Sequence, residues 1–322
     1  MKNAVWVTWE DQRRNKSLSK ELGVELHQLN LNAHRLVRYP LLFIKTISIF
    51  LKRRPEIIFS QNPSIILSLI SVIYGQITGK KVIVDAHNAG VYPFEGSKPW
   101  ATKMAHFLFR KAFLTIVTNN SLKLYVEECG GQAFILPDPF PIITSSRSKV
   151  SLQGKTNYLL ICTWAIDEPY EEVIKAFSQL PSDMHLYITG NSRGKESNLS
   201  VQMPDNITLT GFISNDEFDS LLTSCDVVID LTTREDCLVC GAYEAIAAGK
   251  PLILSETKAL REYFTNSAIY TKNYSEDIAE AIKMIDANLG EAENNVKDYY
   301  RNQVNSWNEM KNQLIDNIGL AK

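Results

Sequence analysis

The stretch REDCLVCGAYEAIAAGKPLIL, residues 234–254, holds a helix of small residues that ends at Gly-Lys-Pro and leads into a short apolar run. This order is typical of a helix followed by a buried strand. Two pairs of side chains in the stretch point to different chemistry. Cys237 and Cys240 form a C-x-x-C pair, which suggests metal or redox work. Asp236 and Glu244 are carboxylates with seven residues between them.

The bulk composition is that of a soluble globular protein. At 322 residues the chain is too long for one ordinary core, which predicts two domains. Hydrophobic residues make up 45% and charged residues 22%. The five cysteines do not form a secreted disulfide framework, and the N-terminal sequence lacks the apolar region of a signal peptide. We therefore expect a cytoplasmic protein with reduced thiols.

The charge is unevenly distributed along the chain. Residues 1–140 hold 18 Lys and Arg against 10 Asp and Glu, and the remainder holds 16 against 26. This asymmetry indicates that the first half faces something anionic, unless the two halves are solvated faces that happen to differ. The segment 35–54 carries six basic residues and no acid around an apolar run too short to span a bilayer. It predicts a helix packed on the first sheet, either an ordinary amphipathic helix or one that also lies on the inner face of an anionic membrane.

Two series of strands alternating with helices predict an α/β fold of two doubly wound, Rossmann-like domains. Near-continuous Val/Ile runs are typical of strands that are buried on both faces of a parallel sheet. The predicted strands are AVWVTW, EIIFS, KVIVDAH, LTIVTNN and QAFILPD in the first half, and NYLLICTW, MHLYITG, NITLTGF, DVVIDLTT and PLILSE in the second. Prolines and polar residues mark a linker between them. The predicted divisions are a first domain at 1–140, a linker at 141–156, a second domain at 157–290, and a C-terminal helix at 291–322 that packs back towards the first domain.

Ligands of such sheets bind outside the carboxyl ends of the strands, so the two domains are expected to share a cleft. The chain contains no G-x-G-x-x-G and no P-loop motif, which disfavours a nicotinamide enzyme or a P-loop kinase.

The window from Arg234 resembles the GT-B glycosyltransferases, in particular glycosyltransferase family 4. In that family an acidic residue, seven residues and a Glu lie where a strand-end loop enters a helix, followed by an EAxAxGxP-like run. Here Asp236, CLVCGAY, Glu244 and AIAAGKP follow the same order, with Asp in place of the usual Glu at the first position.

A second resemblance runs along most of the chain, to the β-mannosyltransferases that extend chitobiosyl-diphosphodolichol. It rests on Gln61-Asn62-Pro63 before an apolar helix, on a strand ending in Asp85–Asn88, and on the fragments TWAIDE (163–168) and ITG (188–190). In the window from Arg234 the chain departs from those enzymes and is closer to family 4.

The resemblance implies a site for a nucleotide sugar, UDP- or GDP-linked, in the second domain. The first turn of the helix, which we expect to include Cys237, Leu238 and Val239, would bind the pyrophosphate because a helix N-terminus supplies free N–H groups. Glu244 would accept from the ribose hydroxyls, and Asp236 would contact the donor sugar. The two cysteines are then small core residues, although a metal or redox role stays open.

The positive charges for the pyrophosphate are not where family 4 enzymes place them. After the first strand of the second domain those enzymes carry an Arg and a Lys, whereas this chain reads CTWAIDEPYEE. Arg193 and Lys195 in the loop after the next strand could substitute, as could Arg234 beside Thr233, unless the first two are only solvated. No Asp-x-Asp occurs, so we expect no obligatory metal and no cofactor.

On the acceptor side, Asp85 and His87 lie at a strand end on the same side of the pleat. One of them could deprotonate the acceptor hydroxyl if the enzyme inverts. The expected function is a metal-independent hexosyltransferase that moves sugar to a lipid-linked or polysaccharide acceptor in surface glycan or glycolipid assembly, with no nucleic-acid partner. The alternatives are a catalytically silent partner subunit and a sugar-nucleotide epimerase of the same architecture.

Overall fold

Twelve strands form two parallel sheets in the computed structural model, which describes residues 3–62, 64–143, 150–195, 199 and 202–320. The strands are β1 Ala4–Thr8, β2 Glu25–Gln28, β3 Ile57–Asn62, β4 Lys81–Ala86, β5 Leu114–Val117, β6 Ala133–Ile135, β7 Thr156–Leu160, β8 Met184–Thr189, β9 Ile207–Gly211, β10 Val227–Asp230, β11 Leu252–Ser255 and β12 Ala268–Thr271. The predicted α/β fold of two doubly wound domains is confirmed.

Helices lie between most successive strands, as is usual for parallel pairing. They are α1 Arg13–Glu21, α2 Arg35–Arg53, α3 Ile65–Thr78, α4 Asn88–Val91, α5 Pro99–Lys111, α6 Asn120–Glu128, α7 Tyr170–Phe177, α8 Asn215–Ser224, α9 Cys240–Ala247, α10 Lys258–Phe264, α11 Ser275–Ala287 and α12 Leu289–Ile318, with 3-10 turns at Pro93–Gly96 and Thr265–Ser267. In the described ranges, none of these helices is long and apolar enough to cross a membrane.

The first compact unit holds the described residues up to Pro139 and those from Asn305 onward. Its sheet has the order β2-β1-β3-β4-β5-β6. The chain leaves β1 towards β2 on one side and returns to β3 on the other, so a topological switch point lies between β1 and β3. The last turns of α12 pack in this unit, where Trp307, Leu314 and Ile318 join the apolar cluster on one face of the sheet.

The second unit runs from Phe140 to Val304, and its sheet has the order β12-β11-β10-β7-β8-β9. Here the switch point lies between β7 and β10, which pair directly. Alternate residues of β7 serve opposite layers: Tyr158 and Leu160 join the cluster with α7 and α11, and Leu159 joins the cluster with α8, α9 and α10. The segment predicted as a linker lies in part outside the described residues.

Two strands were missed by the sequence reading, β2 and β12. Each is an edge strand of four residues, with one or no fully buried position. A strand covered on one side only lacks the continuous apolar run by which the central strands were recognised.

Candidate functional site

The switch point of the second sheet brings two loops together. The loop after β7 carries TWAIDE, residues 163–168, and the loop after β10 carries the window with Arg234 and Asp236. Because the chain turns away to opposite sides of the sheet after these two strands, their carboxyl ends leave a crevice open to a ligand.

The loop after β7 is organised around the carboxylate of Glu168. Its Oε2 accepts from the backbone N–H groups of Thr163 at 2.9 Å and Ala165 at 2.8 Å, and its Oε1 accepts from the Thr163 hydroxyl at 2.8 Å. The thiol of Cys162 lies 3.3 Å from Oε2. Within this loop Trp164 has φ +60°, in the left-handed region that a bulky residue adopts only when its surroundings impose it.

Asp167 ties this loop to the loop after β10. Its carbonyl oxygen accepts from the N–H of Thr233 at 2.8 Å, and its carboxylate accepts from the Thr232 hydroxyl at 3.2 Å. The Arg234 guanidinium lies 3.4 Å from the same carboxylate. Thr233 and Arg234, two of the residues expected to bind the donor, are therefore held directly against TWAIDE.

The two basic residues in the loop after β8, Lys195 and Arg193, have different surroundings. The Lys195 ammonium donates to the carbonyl oxygen of Trp164, so it too lies against the loop after β7. Arg193 is exposed, with φ +54° and its backbone N–H bonded to the side chain of Asn191. The structure thus brings Lys195 and Arg234 to one loop and leaves Arg193 outside that group of contacts.

The start of helix α9 differs from the expectation in two ways. The helix begins at Cys240, after Val239 as N-cap, so Cys237, Leu238 and Val239 belong to the preceding loop and not to the first turn. The backbone N–H groups of Gly241 and Ala242 bond to the buried carboxyl group of Asp230 at the end of β10. The expectation that Cys237, Leu238 and Val239 form the first turn is therefore wrong, and a role of these residues in binding the pyrophosphate stays a prediction.

Gly241 allows this arrangement because any side chain would collide with it. A Cβ at this position would lie 2.5 Å from Oδ2 of Asp230 and 2.7 Å from Cδ1 of Ile161. Burial, together with the negative charges of Glu168 and Glu244, raises the pKa of Asp230 well above its ordinary value. Asp230 therefore lies close enough to Glu168 and to Glu244 for each of their charges to affect its pKa.

The two carboxylates of the window stand on either side of the helix start. Glu244 is half-buried in the second turn of α9, and Asp236 is half-buried in the turn that precedes the helix. Their expected contacts, of Asp236 with the donor sugar and of Glu244 with the ribose, stay predictions.

The thiols of C-x-x-C sit in different surroundings. Cys240 is exposed at the first helical position, whereas burial raises the pKa of Cys237 to about 11. A thiol with a raised pKa is a poor nucleophile and metal ligand at neutral pH. Among the residues that the structure describes, no three His, Cys, Asp or Glu side chains are grouped as metal ligands.

Asp85 in the first unit is an internal ion-pair partner and not an accessible base. Its side chain has no exposed surface, and it accepts from Nε of Arg14 at 3.1 Å and from a terminal nitrogen of Arg14 at 2.7 Å. Arg14 also bonds Asp138 at 2.8 Å and the Leu136 carbonyl at 3.0 Å. The expectation of Asp85 as a general base therefore needs correction, because an acceptor hydroxyl cannot reach this carboxylate.

His87 has a different environment. It is half-buried and precedes α4 in an extended conformation. Burial, opposed mainly by the charge of Asp85 and assisted by that of Arg14, lowers the pKa of His87 below its ordinary value. The imidazole is therefore neutral near pH 7 and able to accept a proton.

The nearby Gln-Asn-Pro motif lies in part among the described residues. Gln61 and Asn62 are buried at the end of β3, and Pro63 lies outside the described residues. The side chain of Gln61 bonds the hydroxyl of Thr8 at the end of β1, across the switch point of the first sheet.

Comparison with known proteins bears on the fold and on the second half of the chain. Residues 147–303, just under half of the chain, match the family model described as Glycosyl transferases group 1. No match was found among curated protein sequences. Among solved structures, the chain is similar to Anabaena HepE in complex with UDP and glucose, with 12% identity, a TM-score of 0.75, and 99% of this chain and 100% of that chain covered.

Two further structures cover nearly all of the chain. Sucrose-phosphate synthase from Thermosynechococcus elongatus is 16% identical, with a TM-score of 0.79 and complete coverage of both chains. A glycosyltransferase from Rickettsia africae is 15% identical, with a TM-score of 0.66 over 97% of this chain and 88% of that chain. The chain has the GT-B fold.

Within this GT-B protein, the loops and helix of the second-unit switch point all lie inside the segment 147–303 that matches the Glycosyl transferases group 1 model. The finer resemblances, to family 4 and to the β-mannosyltransferases, stay predictions.

Sequence reasoning missed three residues that organise this GT-B chain. Arg14 lies in a polar helix, where one more basic residue gives no signal. Glu168 was noticed only as part of the fragment TWAIDE and of an acidic stretch in the donor region. Asp230 did leave a signal, because a carboxylate at the end of the apolar run DVVID must find donors where the strand stops.

Proposed function

We propose that the protein is a glycosyltransferase that moves a hexose from a nucleotide sugar to a lipid-linked or polysaccharide acceptor, without a metal ion. The observation that carries the proposal is the second-unit switch point. There two cations, Lys195 and Arg234, and two half-buried carboxylates, Asp236 and Glu244, come from two loops and one helix of the segment that matches the Glycosyl transferases group 1 model.

Each part of this group has a task in the transfer. The departing nucleoside diphosphate is an anion, and Lys195 and Arg234 would stabilise its charge. Glu244 would accept from the ribose and Asp236 from the sugar. The similar HepE structures contain UDP or UDP-glucose, which supports a UDP-linked donor, and a GDP-linked donor is the second candidate.

For an inverting reaction, we propose that His87 is the general base that removes the proton of the acceptor hydroxyl. The lowered pKa keeps its imidazole neutral, whereas Asp85 is occupied by Arg14. A retaining reaction requires no base at this position.

We place the lipid-facing surface on α2. Its buried side chains Leu42, Thr46 and Phe50 recur at every fourth position. Val37, Ile44 and Leu51, spaced by seven, are 53%, 60% and 61% exposed. Lys45 and Lys52 follow two of them directly and are exposed. An apolar stripe flanked by lysines suits an anionic leaflet, which attracts each cation and accepts the apolar side chains. The protein would thus be cytoplasmic and peripheral, in surface glycan or glycolipid assembly.

Titration calorimetry with a panel of UDP- and GDP-sugars tests the donor assignment. We expect one class of nucleotide sugar to bind with micromolar affinity and to keep its sugar configuration during incubation. Absence of binding to the whole panel would favour the silent partner subunit, and conversion of the bound sugar to its epimer would favour the epimerase.

A further inference from the structure

The sequence TWAIDE places acids where a pyrophosphate would bind, and the contacts of Glu168 explain how the site tolerates them. Four donors surround its carboxylate: the N–H groups of Thr163 and Ala165, the Thr163 hydroxyl and the Cys162 thiol. These donors, all from its own loop, stabilise the negative charge of the Glu168 carboxylate. The second acid, Asp167, lies beside the guanidinium of Arg234.

The loop that Glu168 closes is held rigidly against the neighbouring strand. The indole N–H of Trp164 donates to the carbonyl of Thr189 at 3.1 Å, and the N–H of Cys162 donates to the Thr189 hydroxyl at 3.0 Å. Gly190 passes so close that a Cβ there would lie 2.1 Å from the carbonyl oxygen of Cys162. These contacts leave Trp164 in its left-handed conformation, with its carbonyl aimed at Lys195.

Both cations of the site, Lys195 and Arg234, therefore contact the loop Thr163–Glu168. Lys195 bonds the Trp164 carbonyl, one residue from the N–H groups that Glu168 holds. Arg234 contacts Asp167, the residue before Glu168, and Thr233 bonds the backbone of Asp167. Release of the loop would free both positive charges at once.

We propose that Glu168 is a positioning residue, which fixes the loop Thr163–Glu168 so that Lys195 and Arg234 bind the phosphates of the donor. The inference rests on the proposed function. In this role an acidic side chain holds two cations in place. The length and acceptor atoms of the Glu168 side chain should then determine the affinity for the nucleoside diphosphate, whereas its charge should not.

Three substitutions separate geometry from charge. Glu168→Gln keeps the length and one acceptor oxygen for the two N–H groups, so it should bind UDP and GDP within threefold of wild type. Glu168→Asp keeps the charge but is one methylene too short, and Glu168→Ala removes the acceptor. Both should weaken the binding of the nucleoside diphosphate tenfold or more. Glu280→Ala, an exposed residue of the same unit, is the matched control.

The readout is calorimetry with UDP and GDP beside uridine and guanosine. We expect nucleoside binding to change by less than twofold in every variant, because the nucleosides lack the phosphates that the cations contact. Three results overturn the inference: Glu168→Ala and Glu168→Asp binding the diphosphate as wild type does, Glu168→Gln losing as much as Glu168→Asp, or nucleoside and diphosphate affinity falling together. If Glu168→Ala does not fold, the Gln and Asp variants decide between the same results. A wild-type protein that binds neither diphosphates nor nucleosides would instead overturn the proposed function.

Discussion

Glu244 carries the strongest residue-scale prediction. Its place in the second turn of α9 suits a carboxylate that accepts from both ribose hydroxyls. Glu244→Gln keeps the size and removes charge-assisted hydrogen bonds worth about 1.5–3 kcal/mol. We predict at least a tenfold loss of affinity for the nucleotide sugar with an unchanged unfolding midpoint. Calorimetry beside Glu280→Gln is the measurement, and equal affinity of wild type and Glu244→Gln would remove Glu244 from the site.

Asp230 makes a prediction about stability and pH. Its pKa in the folded protein is raised above 3.8, so the fold favours the neutral form. Its contribution to the free energy of unfolding is therefore largest at low pH and is lost as the pH rises from 3.8 through the folded value. Asp230→Asn does not titrate, so its stability should improve relative to wild type over that range.

Urea unfolding of both proteins between pH 4.5 and 8 measures this difference. A gap in the free energy of unfolding that stays constant with pH, or that moves in the opposite direction, would show that Asp230 is ionised throughout.

The cysteine pair supplies a contrasting prediction. Cys237 has a raised thiol pKa, and the described residues contain no group of ligands around either sulfur. Cys237→Ser combined with Cys240→Ser should keep turnover within about threefold of wild type, because small side chains at a helix start are exchanged at little cost. Elemental analysis of wild type should find no stoichiometric metal. A bound metal that the double variant loses would establish the C-x-x-C pair as a metal site.

At the scale of elements, α2 has one face buried in the first unit and an apolar stripe exposed on the other face. The lysines beside its exposed stripe should each contribute on the order of 1 kcal/mol to binding at an anionic leaflet, screened by salt over roughly 8–10 Å. We predict that Lys45→Gln with Lys52→Gln weakens binding to phosphatidylserine-containing vesicles at least tenfold and leaves donor affinity unchanged.

The control makes an equal change of charge in the other unit, at the exposed residues Lys283 and Lys297. Co-sedimentation at low and high salt compares the three proteins. If vesicle binding by the wild type does not depend on salt, or if both double variants lose the same amount of vesicle binding, α2 is an ordinary solvated helix.

Helix α9 shows what the local sequence leaves undetermined. The small-residue run after Glu244 predicted the helix, since close packing on β10 needs Ala and Gly. Its start was placed three residues early, because nothing between Asp236 and Val239 has the side chain of an N-cap. The cap comes from Asp230, ten residues upstream on the strand. A tertiary cap of this kind has no local signature.

At the scale of the molecule, most of the fold could be predicted because central strands of parallel sheets are apolar on both faces. The exceptions, β2 and β12, are edge strands. The candidate donor site was placed at the loop after β10 by the resemblance of the acid–seven–Glu spacing to family 4, and its ligand stays a prediction. The contacts that organise it could not be predicted, because Glu168, Lys195 and Arg234 meet only when three loops of one sheet end are brought together.

The central claim is sugar transfer that depends on the second-unit switch point. The most direct measurement incubates the protein with the radiolabelled UDP- or GDP-sugar that it binds and with lipid extract as acceptor. We predict labelled lipid product and a stoichiometric nucleoside diphosphate for wild type, and at least a hundredfold lower rate for the Asp236→Asn variant with Glu244→Gln, which retains its fold. Labelled product that forms equally fast with that double variant, or a bound nucleotide sugar that is never consumed with any acceptor, would contradict the assignment.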